Sequence, residues 1–240
     1  VNDLSETCPL LTNTSDYSLR GDDSGEILFA LPLKGIDVVT AVRAIETYVM
    51  KSEVRPILSS RTSTHVHMDM RSTSAADLRK ILTVYMMFER VLFHYCGKER
   101  EDNIFCVPLY KSNNTQKQLA KVLDCTTLSS FRDALSVFGE QTRYGAVNLN
   151  SLWVHGTLEF RHLRGEYRSD KLLEWINILL SIKQYALGTS IQALKTPNCT
   201  TSSNVEEYLH AVFGEYADIL KYDGYEHDVV KGARNAQNII

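Results

Sequence analysis

Gly156-Thr157-Leu158-Glu159-Phe160-Arg161 (GTLEFR) is the stretch that decides the reading of this chain, taken together with Thr64-His65-Val66-His67 (THVH) upstream. In each run polar side chains alternate with apolar ones, which is the period of a half-buried strand. Successive strand side chains point to opposite faces, so His65 and His67 share one face, and Glu159 and Arg161 share one face. A sheet that pairs the two runs would gather two imidazoles, a carboxylate and a guanidinium into one cluster. Such a set suits a divalent metal with a phosphorylated ligand. Histidine and carboxylate can hold the metal, and arginine takes phosphate or carboxylate in a two-pronged hydrogen bond. The plainer readings are two histidines on a solvated strand and an exposed Glu–Arg pair, which would be worth little.

Outward from these strands, the chain reads as strands interrupted by helices. Residues 26–31 (EILFAL) form a short apolar run closed by Pro32 and Gly35, expected as a buried strand. Residues 36–51 place Val38, Val39, Val42, Ile45 and Val49 on one helical face. Ser74 followed by Asp77 signals a helix start, and Gly97 stops that helix after Cys96. Two helices are expected near 115–123 and 127–138, then strands at 143–149 and 156–163. A long helical pattern covers 169–195, with Ser169 as its cap. Residues 196–203 (TPNCTTSS) read as a turn cluster, and the tail from 204 as short helices around Gly214 and Gly224. Residues 1–24 are polar and expected to be irregular. This pattern predicts an α+β fold: an antiparallel-type sheet bearing the site, helices packed on one face, and a helical C-terminal extension. The expected division is 1–195 for the site-bearing domain and 196–240 for the extension.

With 240 residues and 44% hydrophobic content, the chain can bury a substantial core. Its net charge of −3 argues against a protein that grips nucleic acid nonspecifically, and no nucleic-acid partner is expected. No apolar run approaches the roughly 20 residues of a membrane span, so no membrane partner is expected either. No signal peptide is visible, and the chain opens on Val1. Five cysteines (Cys8, Cys96, Cys106, Cys125 and Cys199) are widely spaced with no CxxC pair, which reads as reduced structural thiols and speaks against a cysteine zinc site.

A longer ordered set of motifs adds to this. Asp16-Tyr17-Ser18-Leu19, Gly25 to Gly35 (GEILFALPLKG), the His-Val-His strand, Arg100 to Leu109 (REDNIFCVPL), Arg143 to Asn148 (RYGAVN) and GTLEFR follow one another over roughly residues 16–185. In this order the chain resembles the amidoligase family of the carboxylate–amine ligase superfamily, with its glutamine synthetase-like catalytic fold. The resemblance implies ATP-dependent formation of an amide or isopeptide bond through an acyl phosphate, with ATP and Mg²⁺ as cofactors. The implied partners are a small-molecule or peptide carboxylate and an amine. It also implies roles: His65, Glu159 and Glu26 on metal, and His67, Arg161 and Asn148 toward the nucleotide phosphates or substrate. Arg161, Glu159 and Arg100 would carry catalysis. Asp16, Asn103, Tyr110 and Arg143 are weaker candidates, and Asp69 on the histidine face reads as an exposed acid. His94, His155, His162, His210 and His227 show no pattern and are expected to be ordinary residues. By analogy the setting is the cytoplasm of a bacterial or phage-infected cell, with virion association as a further setting.

One departure keeps a second reading open. The resembling family opens with a strand carrying Glu-x-Glu, which completes its metal cluster, and no such strand is found before Asp16; either it lies upstream of Val1 or it is absent. Its absence would expose a sheet edge able to pair with a second copy or an assembly partner. On that reading the chain is a degenerate ligase fold serving as a binding or structural module.

Overall fold

The computed structural model describes residues 4, 8–15, 25–53, 55–125, 130, 143–195 and 201–239. Asp16 and most of the expected helix at 127–138 lie outside the described residues. The chain divides into two compact units, residues 1–64 with 164–176 and residues 65–163 with 177–240. The architecture is mixed helix and antiparallel sheet, in agreement with the α+β expectation.

In the first unit, β1 (Leu11–Ser15) pairs antiparallel with β2 (Gly25–Phe29). The helix α1 (Ile36–Lys51) has the range expected from its apolar stripe. Leu4, Cys8, Leu11 and Ala41 form the core here, with Ile27, Ile45 and Tyr48 packed against it. Two expectations are corrected. The polar lead-in contains a strand, because Leu11 anchors it in the core and threonine suits extended backbone. The EILFAL run is a strand that is not buried: Leu28 and Leu31 are 38% and 64% exposed, since a two-stranded sheet has few neighbours to cover it.

The second unit holds the sheet foreseen from THVH and GTLEFR. Its order is β3 (Val66–Asp69), β5 (Thr157–Phe160), β4 (Val147–Asn148), all antiparallel, with His67 opposite Glu159 and Asn148 opposite Glu159. The expected strand at 143–149 shortens to two residues, preceded by a parallel bridge between Gly145 and Val107. Between β3 and β4 run α2 (Ala75–Cys96) and α3 (Asn113–Asp124). The long α2 starts where Ser74 accepts from the Asp77 backbone N–H at 3.0 Å and gives its hydroxyl proton to the Asp77 carboxylate at 2.8 Å. It ends at Gly97, whose φ of 105° few other residues tolerate.

The helix α2 is buried on nearly every face (Ile81, Leu82, Tyr85, Met87, Phe88, Leu92 and Phe93), as expected of a central core helix. Tyr85 meets Phe160 of β5 edge-on at 5.8 Å, so the Leu158/Phe160 face of the sheet is the one it supports. A four-residue helix, α4 (Ser151–Val154), links β4 to β5. The 169–195 pattern divides into α5 (Ser169–Gly188) and α6 (Ile191–Lys195). The Ser169 hydroxyl donates to Glu46 at 2.6 Å instead of capping the helix. The tail forms α7 (Ser202–Phe213) and α8 (Tyr225–Ile239), with glycines at both expected breaks. These helices belong to the same unit as α2: Phe213 packs edge-on against Phe88 at 4.9 Å, and Gly232 lets α8 approach the α2 backbone at Met87.

Candidate functional site

The pleat sorts the sheet into two faces. Val66, Met68, Val147, Leu158 and Phe160 turn toward the core. His65, His67, Asn148, Glu159 and Arg161 share the opposite face. Glu159 sits on the central strand, flanked by His67 on one side and Asn148 on the other.

That carboxylate is nearly enclosed. Its Oε1 accepts from Arg161 Nη1 at 2.6 Å and from His65 Nδ1 at 3.1 Å, with His67 Nε2 at 4.0 Å. Its Oε2 accepts from Asn148 Nδ2 at 2.6 Å and from the Ser151 hydroxyl at 3.0 Å. Burial favours the protonated acid, but the His65 hydrogen bond, the Arg161 charge and the Asn148 hydrogen bond outweigh it and hold Glu159 far below the usual carboxylate range. It is therefore ionised across the physiological range, and it fixes Arg161 and His65 in place.

Arg161 is held at a second point, where its Nε donates to the Phe105 carbonyl at 3.0 Å. Among the described residues its Nη2 has no protein partner, which leaves part of the fork available for an oxyanion. His67 is exposed and bonded through Nδ1 to the Thr157 hydroxyl at 2.9 Å. His155 meets it edge-on, with ring centroids 5.5 Å apart. Burial holds the His67 imidazole below its ordinary value. Glu159 opposes this, while His155, His65 and Arg161 add to it.

Other expected site residues have different work. Arg100 is buried and donates from Nε to the His162 carbonyl and from Nη2 to the Arg161 carbonyl, both at 2.9 Å. These two hydrogen bonds hold the end of β5 from within the core. The Asn148 amide donates to Glu159 and Ser151, and its Oδ1 accepts from the Asn150 backbone N–H at 3.0 Å, so it helps to orient the carboxylate. Asn103 closes a turn by accepting from the Phe105 N–H at 2.9 Å, and Tyr110 lies under the Arg90 guanidinium at 3.6 Å. Arg143 lies by the Tyr144 ring at 4.9 Å. Asp69 is paired with Arg71 at 2.8 Å, and the Arg71 hydrogen bonds draw it down to about 2. Glu26 stands on β2, in the sheet of the first unit, and not on the strands that carry Glu159.

Ser151, His155, Thr157 and Phe105 were not singled out in the sequence. Ser151 and Phe105 carry no local signature. His155 had one available: it directly precedes Gly156, the turn glycine (φ 69°) that opens β5.

Comparison with known families follows from this geometry. Residues 34–183 match the model of a family described as "putative amidoligase enzyme". The chain belongs to the amidoligase family. A search of curated proteins and a search of solved structures found no match. The amidoligase match contains the whole sheet β3–β5–β4, the REDNIF loop that supplies Arg100 and Phe105, and α2 behind them. It begins after Glu26.

The divalent ion implied by an amidoligase was tested against these residues. Among the described residues, no three His, Cys, Asp or Glu side chains are grouped to hold a metal. A carboxylate offers about four acceptor positions, and Glu159 fills them with Arg161, His65, Asn148 and Ser151. Magnesium also prefers oxygen ligands at about 2.0–2.1 Å, and the neighbours of Oε1 here are a guanidinium and two imidazoles. This arrangement does not fit a magnesium ion bound directly through Glu159. No helix is long and apolar enough to cross a membrane among the described residues.

Proposed function

We propose that this amidoligase is an ATP-dependent carboxylate–amine ligase that makes an amide or isopeptide bond through an acyl phosphate. The observation that carries the reading is Arg161: a guanidinium clamped by Glu159 and the Phe105 carbonyl, with Nη2 open, beside the exposed imidazole of His67. Membership in the amidoligase family supports the ligase class.

In the proposed reaction a substrate carboxylate oxygen attacks the γ-phosphorus of ATP. The bond from that phosphorus to the bridging oxygen breaks, and ADP leaves with the electron pair. The amine nitrogen then attacks the activated carbonyl carbon. The carbon–oxygen bond to phosphate breaks, inorganic phosphate leaves, and the amine gives up a proton to solvent. The protein's share is alignment and charge stabilisation. Arg161 meets a phosphoryl or carboxylate oxygen with the part of its guanidinium left open at Nη2. Glu159 keeps that fork from rotating, and Arg100 keeps its backbone from shifting. His67, below its ordinary pKa, is a neutral hydrogen-bonding group at neutral pH, one that does not compete with Arg161 for the anion. Magnesium accompanies the nucleotide phosphates.

The test is a hydroxylamine trap. Wild-type protein is given magnesium-ATP, hydroxylamine and a panel of amino-acid and short-peptide carboxylates. Hydroxamate and ADP are expected to form together with at least one carboxylate, and an ¹⁸O label on that carboxylate should appear in the released phosphate. ADP released at the same rate without any carboxylate, or phosphate free of label, would sink the acyl-phosphate reading.

A further inference from the structure

Glu159 stands at the centre of the polar face with both carboxylate oxygens already hydrogen-bonded. We infer that Glu159 is a positioning residue, which presents Arg161 to the anionic ligand and does not itself ligate a divalent ion. This rests on reading Arg161 as the oxyanion receptor.

Three observations carry it. The first is saturation. Both Glu159 oxygens have two donors each: Arg161 and His65 on Oε1, Asn148 and Ser151 on Oε2. A metal would have to displace one of these, and on Oε2 the displaced group would be the buried Asn148 amide or Ser151 hydroxyl, which would lose its hydrogen bond to the carboxylate. The second is charge. The guanidinium stands 2.6 Å from Oε1, so a divalent cation on that oxygen would sit against a fixed positive group. The third is the direction of support. Asn148 is itself oriented by the Asn150 N–H, and Arg161 by the Phe105 carbonyl. Residues from β4, α4, the REDNIF loop and the segment leading into β3 thus fix one carboxylate and one guanidinium as a unit. The sheet aims Arg161 through Glu159 in the way that outer-shell partners aim a ligand elsewhere. A divalent ion carried on the nucleotide phosphates is untouched by this assignment.

The experiment uses the full chain as wild type, Glu159→Gln, Arg161→Gln and the double variant. Binding of Mn²⁺ alone is measured by electron paramagnetic resonance, and binding of pyrophosphate alone, in chelator, by calorimetry. Glu159→Gln is expected to leave Mn²⁺ binding within about twofold of wild type. It should weaken pyrophosphate about tenfold, the usual scale for losing an orienting partner. Because Glu159 acts through Arg161, the double variant should bind pyrophosphate no worse than Arg161→Gln. A large loss of Mn²⁺ affinity in Glu159→Gln, or additive losses of pyrophosphate affinity, overturns the assignment. A wild-type chain that ignores pyrophosphate refutes the oxyanion-receptor reading instead, so the two failures are told apart. Should Glu159→Gln fail to fold, wild type decides: millimolar Mg²⁺ should leave the ¹³Cδ resonance of Glu159 in place, and a shift of that resonance overturns the inference.

Discussion

Replacing Arg100 with alanine separates a structural support from a substrate contact. The residue is 3% exposed, and its guanidinium donates to two carbonyls, those of Arg161 and His162, both at 2.9 Å. Truncation removes this donor from both oxygens, that of His162 buried and that of Arg161 partly buried. Each such loss costs about 1–3 kcal/mol, so the pair should cost about 2–6 kcal/mol. Against a typical total of about 5–15 kcal/mol, that is a large share of the stability. With a urea slope of about 2–3 kcal/mol per molar, the midpoint should fall by roughly 1–2 M. Arg100→Lys keeps one donor and should lose about half as much. Equilibrium urea unfolding, followed by tryptophan fluorescence and circular dichroism, reads this directly. A midpoint unchanged in Arg100→Ala, with ligand binding lost, would mean that the guanidinium serves the substrate and that the support argument is wrong.

Four further outcomes follow. Burial raises Glu89 to about 7 and lowers His162 to about 3. The stability tied to Glu89 is whole below its ordinary value of 4.5 and lost as pH rises through about 7, on the order of 3 kcal/mol. That tied to His162 is whole above 6.5 and lost as pH falls toward about 3, on the order of 5 kcal/mol. The two slopes oppose between 4.5 and 6.5, so wild type should be nearly flat there, while Glu89→Gln should gain stability with rising pH. Urea midpoints across that window check it, and a flat Glu89→Gln profile refutes it. Ser74→Ala removes the α2 cap and should cost about 1 kcal/mol, read as a lowered urea midpoint. Gly232→Ala would push a Cβ to 2.1 Å from the Met87 carbonyl oxygen, so α8 must shift; a loss of about 3 kcal/mol or more is expected in thermal unfolding. Arg161→Lys should keep the fold and lower turnover about 100-fold, because one ammonium cannot reproduce the fork.

Much of this was legible because strand pleat and helix punctuation are local. The alternation in THVH and GTLEFR put His65 with His67 and Glu159 with Arg161, and the register of β3 on β5 then brought the two pairs onto one face. Ser74 and Gly97 bounded α2, and the apolar stripe bounded α1. What was not legible depends on partners distant in sequence. Nothing local distinguishes an arginine that reaches a ligand from one that, like Arg100, reaches a carbonyl some sixty residues along the chain. Asn148 and Ser151 took their roles from register with Glu159, which only the assembled sheet provides. The exposure of β2 has the same origin: an apolar run can be read, but the number of strands beside it cannot.

The most direct test of the account is calorimetric binding of magnesium-ATP to the wild-type chain and to Arg161→Gln. The account expects saturable one-to-one binding by wild type and its loss, by about tenfold or more, in a variant whose circular dichroism shows it folded at the assay temperature. No binding by a folded wild-type chain, or equal binding by both proteins, would contradict the claim that Arg161 and its clamp form a nucleotide phosphate site.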